Sequence, residues 1–307
     1  MTLVVLPSTR PKHRAAEYTP KPPDFLRYAG RAAHIVARPF FFGHRCTMRQ
    51  FCLDHLSLVD LDALSLIKAA ATAGFASVSL FAAPIPISPA RDLVNDTAAR
   101  AEVLSALRST GLSVGIVEPF MLEPKIDWPH LERLVALTAE IGGTVNMLGM
   151  DDDLARLRGS LERLVRICRD LGVPAIIEAF PMSVIANHAM ALALAEDLGP
   201  DVGLCVDSLH VIRSGCTWAD VAALPPARIR HVQLNDGPMQ APEDRGREAA
   251  LARQLPGDGE FGLKGLLSFI PEHAMVAVEA PLARRSDLTP AQRAAEMMGS
   301  MIQLFAS

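Results

Sequence analysis

From Arg49 to the C-terminus, short apolar runs alternate with longer stretches whose apolar positions recur every three or four residues, and turn-forming residues separate the two. The short runs fall at 50–57, 76–81, 113–118, 143–149, 174–180, 202–207, 229–235 and 274–280, and they have the length and apolar character of buried strands. The spacing between them predicts helices at 60–73, 97–110, 128–141, 153–171, 187–198, 217–223, 263–271 and 288–304. Local chemistry agrees at several boundaries. Asp60 stands where an N-cap is expected, Gly74 and Gly111 follow two helices as C-caps, and Pro290 sits in the first turn of the last helix. Eight strand–helix units in about 260 residues imply parallel strands joined by right-handed crossovers, closed into a (β/α)8 TIM barrel. The alternative, an open doubly wound sheet, would carry a G-x-G-x-x-G or P-loop after its first strand, and none follows this one.

The first 47 residues break this pattern. They are rich in proline and arginine, hold no sustained period, and set eight basic residues against Glu17 and Asp24, a net of +6 that leaves −10 for the remainder. The expected organisation is therefore an irregular basic extension over 1–47 and a catalytic barrel over 48–307. The extension reads as a targeting segment, an oligomer-contact arm or a lid, or as translation begun upstream of Met48.

Composition narrows the function. Half of the 307 residues are apolar, enough for one large core. A net charge of −4 offers no bulk attraction to phosphate backbones or anionic lipid, so the expected partner is a small molecule, with neither nucleic acid nor membrane, and a homo-oligomer stays open. Cys46, Cys52, Cys168, Cys205 and Cys216 form no C-x-x-C pair and read as reduced thiols. The most apolar stretch, Val78 to Ile87, is too short for a membrane helix, and TLVVLP precedes its basic residues, the reverse of a secretory signal. A cytoplasmic location is the expectation.

In a parallel barrel chemistry collects where strands end. Four consecutive strands end in oxygen-bearing side chains: Glu178, Asp207, Gln233 and Glu279 close otherwise apolar runs, with Ile176, Cys205, His231 and Ala277 one layer below on the same face. Three acids gathered at one mouth repel unless a cation neutralises them, so these four residues predict one divalent metal ion. An all-oxygen set favours Mn2+ or Mg2+ over Zn2+, with Co2+ as a substitute. His231 competes with Gln233 for that position and otherwise packs as a core histidine. Glu118, before Pro119, is placed to touch substrate or to close its loop, and His55 reads as packing. The long segment Asn235 to Gly259 reads as an irregular loop carrying Arg245, Arg247 and Arg253, whose guanidinium groups suit an anionic substrate.

These motifs, taken in order, resemble a known family. Ile177-Glu178, Val202-Gly-Leu-Cys-Val-Asp207-Ser-Leu-His210 with Arg213-Ser-Gly, His231-Val-Gln-Leu-Asn-Asp236-Gly-Pro, Arg253-Gln-Leu-Pro-Gly-Asp-Gly259 and Val278-Glu279-Ala-Pro are similar to the xylose isomerase-like sugar phosphate isomerase/epimerase barrels over roughly 48–307. The resemblance implies one divalent ion held by residues matching Glu178, Asp207, Gln233 and Glu279. It also implies a proton-shuttling or substrate-bonding role for His210, and makes Arg253 the best-placed substrate arginine. Gln233 departs from the histidine many members carry; 3-dehydroshikimate dehydratase-like relatives have glutamine there.

The chemistry expected is removal of a proton beside a carbonyl through a metal-stabilised enediolate, with Glu178, Glu279 and His210 as the proton-transfer groups. An isomerase or epimerase of a small, sugar-like, anionic hydroxy-carbonyl compound leads. A dehydratase or other lyase of a cyclic hydroxy-keto acid follows, and a metabolite-binding barrel without turnover is the non-enzymatic alternative.

Overall fold

The computed structural model describes residues 49–282 and 287–306, so the basic extension 1–47 and Cys46 lie outside the described residues. Eight strands form a closed barrel in sequence order. They are β1 (Phe51–Leu53), β2 (Ser77–Phe81), β3 (Ser113–Leu122), β4 (Thr144–Gly149), β5 (Ala175–Glu178), β6 (Gly203–Asp207), β7 (Ile229–Leu234) and β8 (Met275–Val278). Every pairing is parallel, and β8 returns to β1 through Cys52 opposite Ala277, which closes the cylinder.

Ten helices surround the described barrel: α1 (Ala63–Ala73), α2 (Thr97–Thr110), α3 (Trp128–Ile141), α4 (Leu154–Asp170), α5 (His188–Leu198), α6 (Ser208–Arg213), α7 (Trp218–Ala222), α8 (Arg245–Leu251), α9 (Lys264–Leu267) and α10 (Pro290–Ala306). The long ones start on side-chain caps that satisfy otherwise unpaired backbone N–H groups, as Asp96 does for Ala99 and Asp127 for His130. α1 is capped by Asp62, not by the expected Asp60. The Asp62 carboxylate accepts from Ser65 N at 2.7 Å, whereas Asp60 pairs with Arg293 on α10 at 2.8 Å. Gly74 ends α1 in the left-handed conformation at φ 85°, where a side chain would be strained.

Strands β2 and β6 are buried along their whole length, with helices on the outer face and side chains filling the barrel within. Their outer faces join the helices in the main core, while Ile116, Ile176 and Cys205 fill the barrel interior. Three sequence expectations change. The first strand is shorter than 50–57 because the chain turns at Asp54, whose carbonyl accepts from Ser57 N at 3.0 Å, into a 3-10 turn His55–Leu58. β3 runs past Glu118 and Pro119 to Leu122. The helix expected at 263–271 contracts to the four residues of α9. No helix among the described residues is long and apolar enough to cross a membrane, and Cys52, Cys168, Cys205 and Cys216 are free thiols.

Candidate active site at the barrel mouth

The parallel register places the ends of β5 to β8 side by side. Glu178 ends β5, Asp207 ends β6, Gln233 is the penultimate residue of β7 opposite Asp207, and Glu279 directly follows β8. All four side chains are buried. The layer below is as the period predicts, with Ile176, Cys205, His231 and Ala277 also buried.

Each carboxylate has a defined set of partners. Glu178 Oε2 accepts from Asn146 Nδ2 at 2.5 Å, and its Oε1 lies 3.4 Å from His210 Nε2. The same Asn146 amide donates to Glu118 Oε1 at 3.0 Å, tying the two glutamates together. Asp207 Oδ1 caps α6 by accepting from His210 N at 3.1 Å, and both its oxygens accept from Asn235 Nδ2 at 3.2 Å. Arg253 Nη1 reaches Asp207 Oδ2 at 2.7 Å and Glu279 Oε2 at 2.6 Å. Phe180 stands edge-on to the His210 ring at 4.9 Å.

Charge is unevenly shared here. Burial raises the Arg253 site's cost as a cation, but Asp207 and then Glu279 outweigh it and push the guanidinium pKa further up. Burial also raises the Asp207 carboxyl, yet Arg253 and then His210 bring it below the usual carboxylate range. Glu279 goes the other way: burial outweighs Arg253, and Asp207, Asp54 and Glu178 add repulsion, so it stays well above that range. Glu118 is pushed up to about 8 by burial and then by the Glu178 charge. One guanidinium is therefore too little positive charge for the carboxyl groups around it, and burial with mutual repulsion drives Glu118 and Glu279 upward.

That surplus is the test of whether the residues suit a metal ion, and they do. Glu178, Asp207 and His210 each offer a donor atom, all within 4.8 Å of one another. Gln233 differs from expectation. Its Nε2 donates to Glu279 Oε1 at 2.9 Å, and its Oε1 accepts from the Cys205 thiol at 3.0 Å, so the amide oxygen is engaged from the layer below. His231 does not replace it: one layer deeper, its Nε2 lies 3.6 Å from Asp54 Oδ2 and without a hydrogen bond.

Above the cluster opens a cavity of about 180 Å³. Glu118, Glu178, His210, Arg253 and Glu279 line it, whereas Asp207 and Gln233 are fully buried and do not. His231, expected as a substrate contact, does not line it, because period 2 drops it below the mouth. Arg245 is exposed and borders a smaller neighbouring cleft beside Phe180 and His210. The expected anion site thus has little to work with: Arg253, the one guanidinium among the described lining residues, already bridges Asp207 and Glu279.

The segment Asn235 to Gly259 is not a plain loop. It contains α8, capped by Asp244, and a buried Arg213–Glu248 ion pair at 2.6 Å fastens that helix to α6. Arg213 also donates to Pro238 O at 2.6 Å. Asp236 gathers Gly237 N, Gly257 N and Phe261 N on its carboxylate, closing the loop. Several of these working residues had signals in the sequence. Asp54 follows a strand as Glu279 does, and Asn146 is a lone amide in the apolar run Thr144–Gly149. Asp244 before Arg-Gly-Arg-Glu-Ala-Ala-Leu is a capped helix start.

Comparison with known proteins agrees with this geometry. The family model described as xylose isomerase-like TIM barrel matches residues 67–302. Among solved structures, a xylose isomerase-like TIM barrel/4-hydroxyphenylpyruvate dioxygenase fusion protein superposes with a TM-score of 0.71 at 21% identity, covering 83% of this chain but 42% of that one. The IolI protein with a binding zinc atom gives 0.67 at 14% identity, covering 84% and 98%. The probable 3-DHS dehydratase AsbF from Bacillus anthracis gives 0.64 at 12% identity, covering 82% and 98%. At these identities the structures speak for the fold alone. No curated protein matches the chain in sequence.

Proposed function

The chain belongs to the xylose isomerase-like TIM-barrel family, and from that premise we propose that it is a divalent-metal-dependent isomerase or epimerase of a small hydroxy-carbonyl compound. The observation that carries the reading is the convergence of Glu178, Asp207 and His210 beneath one cavity, with Glu279 joined to Asp207 through the single guanidinium of Arg253. Glu178, Asp207, Gln233 and Glu279 would hold the ion, and their oxygen donors favour Mn2+ or Mg2+. When bound, the ion supplies Lewis-acid polarisation of a substrate oxygen.

The chain's own groups do the rest. Glu178, held by Asn146 on one oxygen and facing His210 on the other, is positioned to take a proton from carbon. His210, steadied by Phe180, lies within reach to return it, and Glu279, which shares Arg253 with Asp207, would be the second carboxyl. Glu118, which keeps its proton near neutral pH, can donate a hydrogen bond to a substrate oxygen.

A second reading, dehydration, has its own support in Gln233, the residue by which the chain departs from the histidine of many relatives. Proton NMR of the Mn2+-loaded protein in D2O, against keto sugars and cyclic hydroxy-keto acids, tests both. Deuterium uptake with the skeleton retained is expected. A new alkene signal selects the lyase, and absence of either across the panel removes the enzymatic reading.

A further inference from the structure

Large hydrophobic side chains exposed singly are ordinary on a protein surface. Here three of them meet. Ile87, Met121 and Met182 are 40%, 41% and 46% exposed, and all three line the mouth cavity. They arrive from separate places in the chain: Ile87 from the loop after β2, Met121 from the far end of β3, and Met182 from the loop after β5. Leu56, Ile85 and Leu148 continue the same surface inward. Exposed apolar side chains gathered at a cavity rim mark a binding face, and unbranched methionine adapts its shape to what lies against it.

The cavity therefore has two kinds of lining, an exposed apolar rim and a polar floor on which Glu178, Glu279 and His210 are buried beside Glu118. A phosphate or carboxylate at the rim meets no free cation, because among the described lining residues the single guanidinium is already bonded to Asp207 and Glu279. A chain of hydroxyl groups laid against the apolar rim would lose its water without gaining hydrogen-bond partners.

We propose that the substrate is two-sided in the same way. Its hydroxy-carbonyl edge faces the carboxyl groups, and an uncharged hydrocarbon ring or arm lies against Ile87, Met121 and Met182. The inference rests on the metal-dependent reading above and narrows it away from phosphorylated sugars and open-chain polyols.

Three hydroxamates that share one chelating group separate the terms. Acetohydroxamate, benzohydroxamate and phosphoglycolohydroxamate are titrated by calorimetry into the full chain, metal-free and loaded with Mn2+. Benzohydroxamate is expected to bind at least about tenfold more tightly than acetohydroxamate, as burial of an aryl group predicts. Phosphoglycolohydroxamate is expected to bind most weakly. Combining Ile87→Ser with Met121→Ser should bring benzohydroxamate close to acetohydroxamate and leave acetohydroxamate unchanged. Phosphoglycolohydroxamate binding as tightly as benzohydroxamate overturns the proposal and leaves the metal reading standing, as does an aryl preference that survives both substitutions. Binding that ignores Mn2+ but keeps the aryl preference sinks the metal reading and retains the apolar face. Failure of all three to bind a protein that takes up Mn2+ overturns the substrate class.

Discussion

The two ends of the barrel each hold a cavity, about 180 Å³ at the mouth and about 230 Å³ at the opposite end, and they differ in how their polar groups are satisfied. At the far end most groups find their own neighbour, the exception being His231, whose Nε2 has no hydrogen bond. Asp201 is bonded by Arg169 at 2.7 and 2.6 Å, His273 Nε2 lies 3.1 Å from Ile229 O, and Arg230 donates to Ala227 O at 3.0 Å. At the mouth, Asp207 and Glu279 share Arg253 while Glu118 and Glu178 share Asn146. Size alone would not tell the ends apart. What does is convergence: a structural end disperses its charges into local pairs, and a chemical end concentrates more of one sign than its partners can neutralise.

That contrast can be broken most severely at Asp207. Asp207→Asn keeps the shape but removes the charge that Arg253 and the ion share, and is expected to lower kcat/KM roughly a thousandfold. Proton–deuterium exchange into substrate measures it, and retention of near-full turnover would remove Asp207 from the metal site. Arg253→Met comes next. Stripping the shared cation from two buried carboxyl groups should cost about 3–5 kcal/mol in the metal-free protein, with saturating Mn2+ restoring part of it. Urea unfolding with and without Mn2+ reads this, and an equal loss in both conditions means that ion and arginine do not serve the same charges.

A third test uses pH. His55, just after β1 with Nδ1 accepting from Phe81 N at 2.9 Å, is lowered to about 4 by burial. The unfolded chain then binds the extra proton between about pH 6.5 and 4, so stability is full above that window and falls through it as pH drops, by about 3 kcal/mol in all. A urea midpoint independent of pH across that window would show that His55 is not held neutral. The smallest effect belongs to the far end, where His273→Ala should cost about 1 kcal/mol and leave kcat/KM within about twofold. A larger drop in turnover would mean that the two ends are coupled.

The sequence shows the barrel and its strand-end acids clearly because both follow from period alone. A buried parallel strand must be apolar throughout, so Glu178, Asp207 and Glu279 stand out as the residues that break the run. What it shows poorly depends on contacts across the fold. Arg253 reads as an anion binder, since nothing local reveals that its guanidinium turns inward between two carboxyl groups. Gln233 reads as a ligand at its strand end, and nothing local reveals that its oxygen also accepts from the Cys205 thiol of a neighbouring strand. α6 and α8 are too short for a period to form, and their caps, Asp207 and Asp244, were the only local signs. The first strand is overlong in the reading because Asp54 ends it through a turn that its apolar neighbours conceal.

The inward face of α8 is made of very small residues: Gly246, Ala249 and Ala250 all line the mouth cavity. Gly246 has no atom nearer than 3.6 Å to where a Cβ would stand, so a side chain fits there. The helix belongs to a peripheral insert pinned by Arg213 and Asp236, outside the barrel strands that bring most of the acids together. Cavity depth and acid–base chemistry are thus encoded in separable stretches of chain. Larger residues introduced along Gly246–Ala250 would reshape what the pocket admits while sparing the carboxyl cluster, which makes this insert a natural place for specificity to diverge and for an engineer to begin.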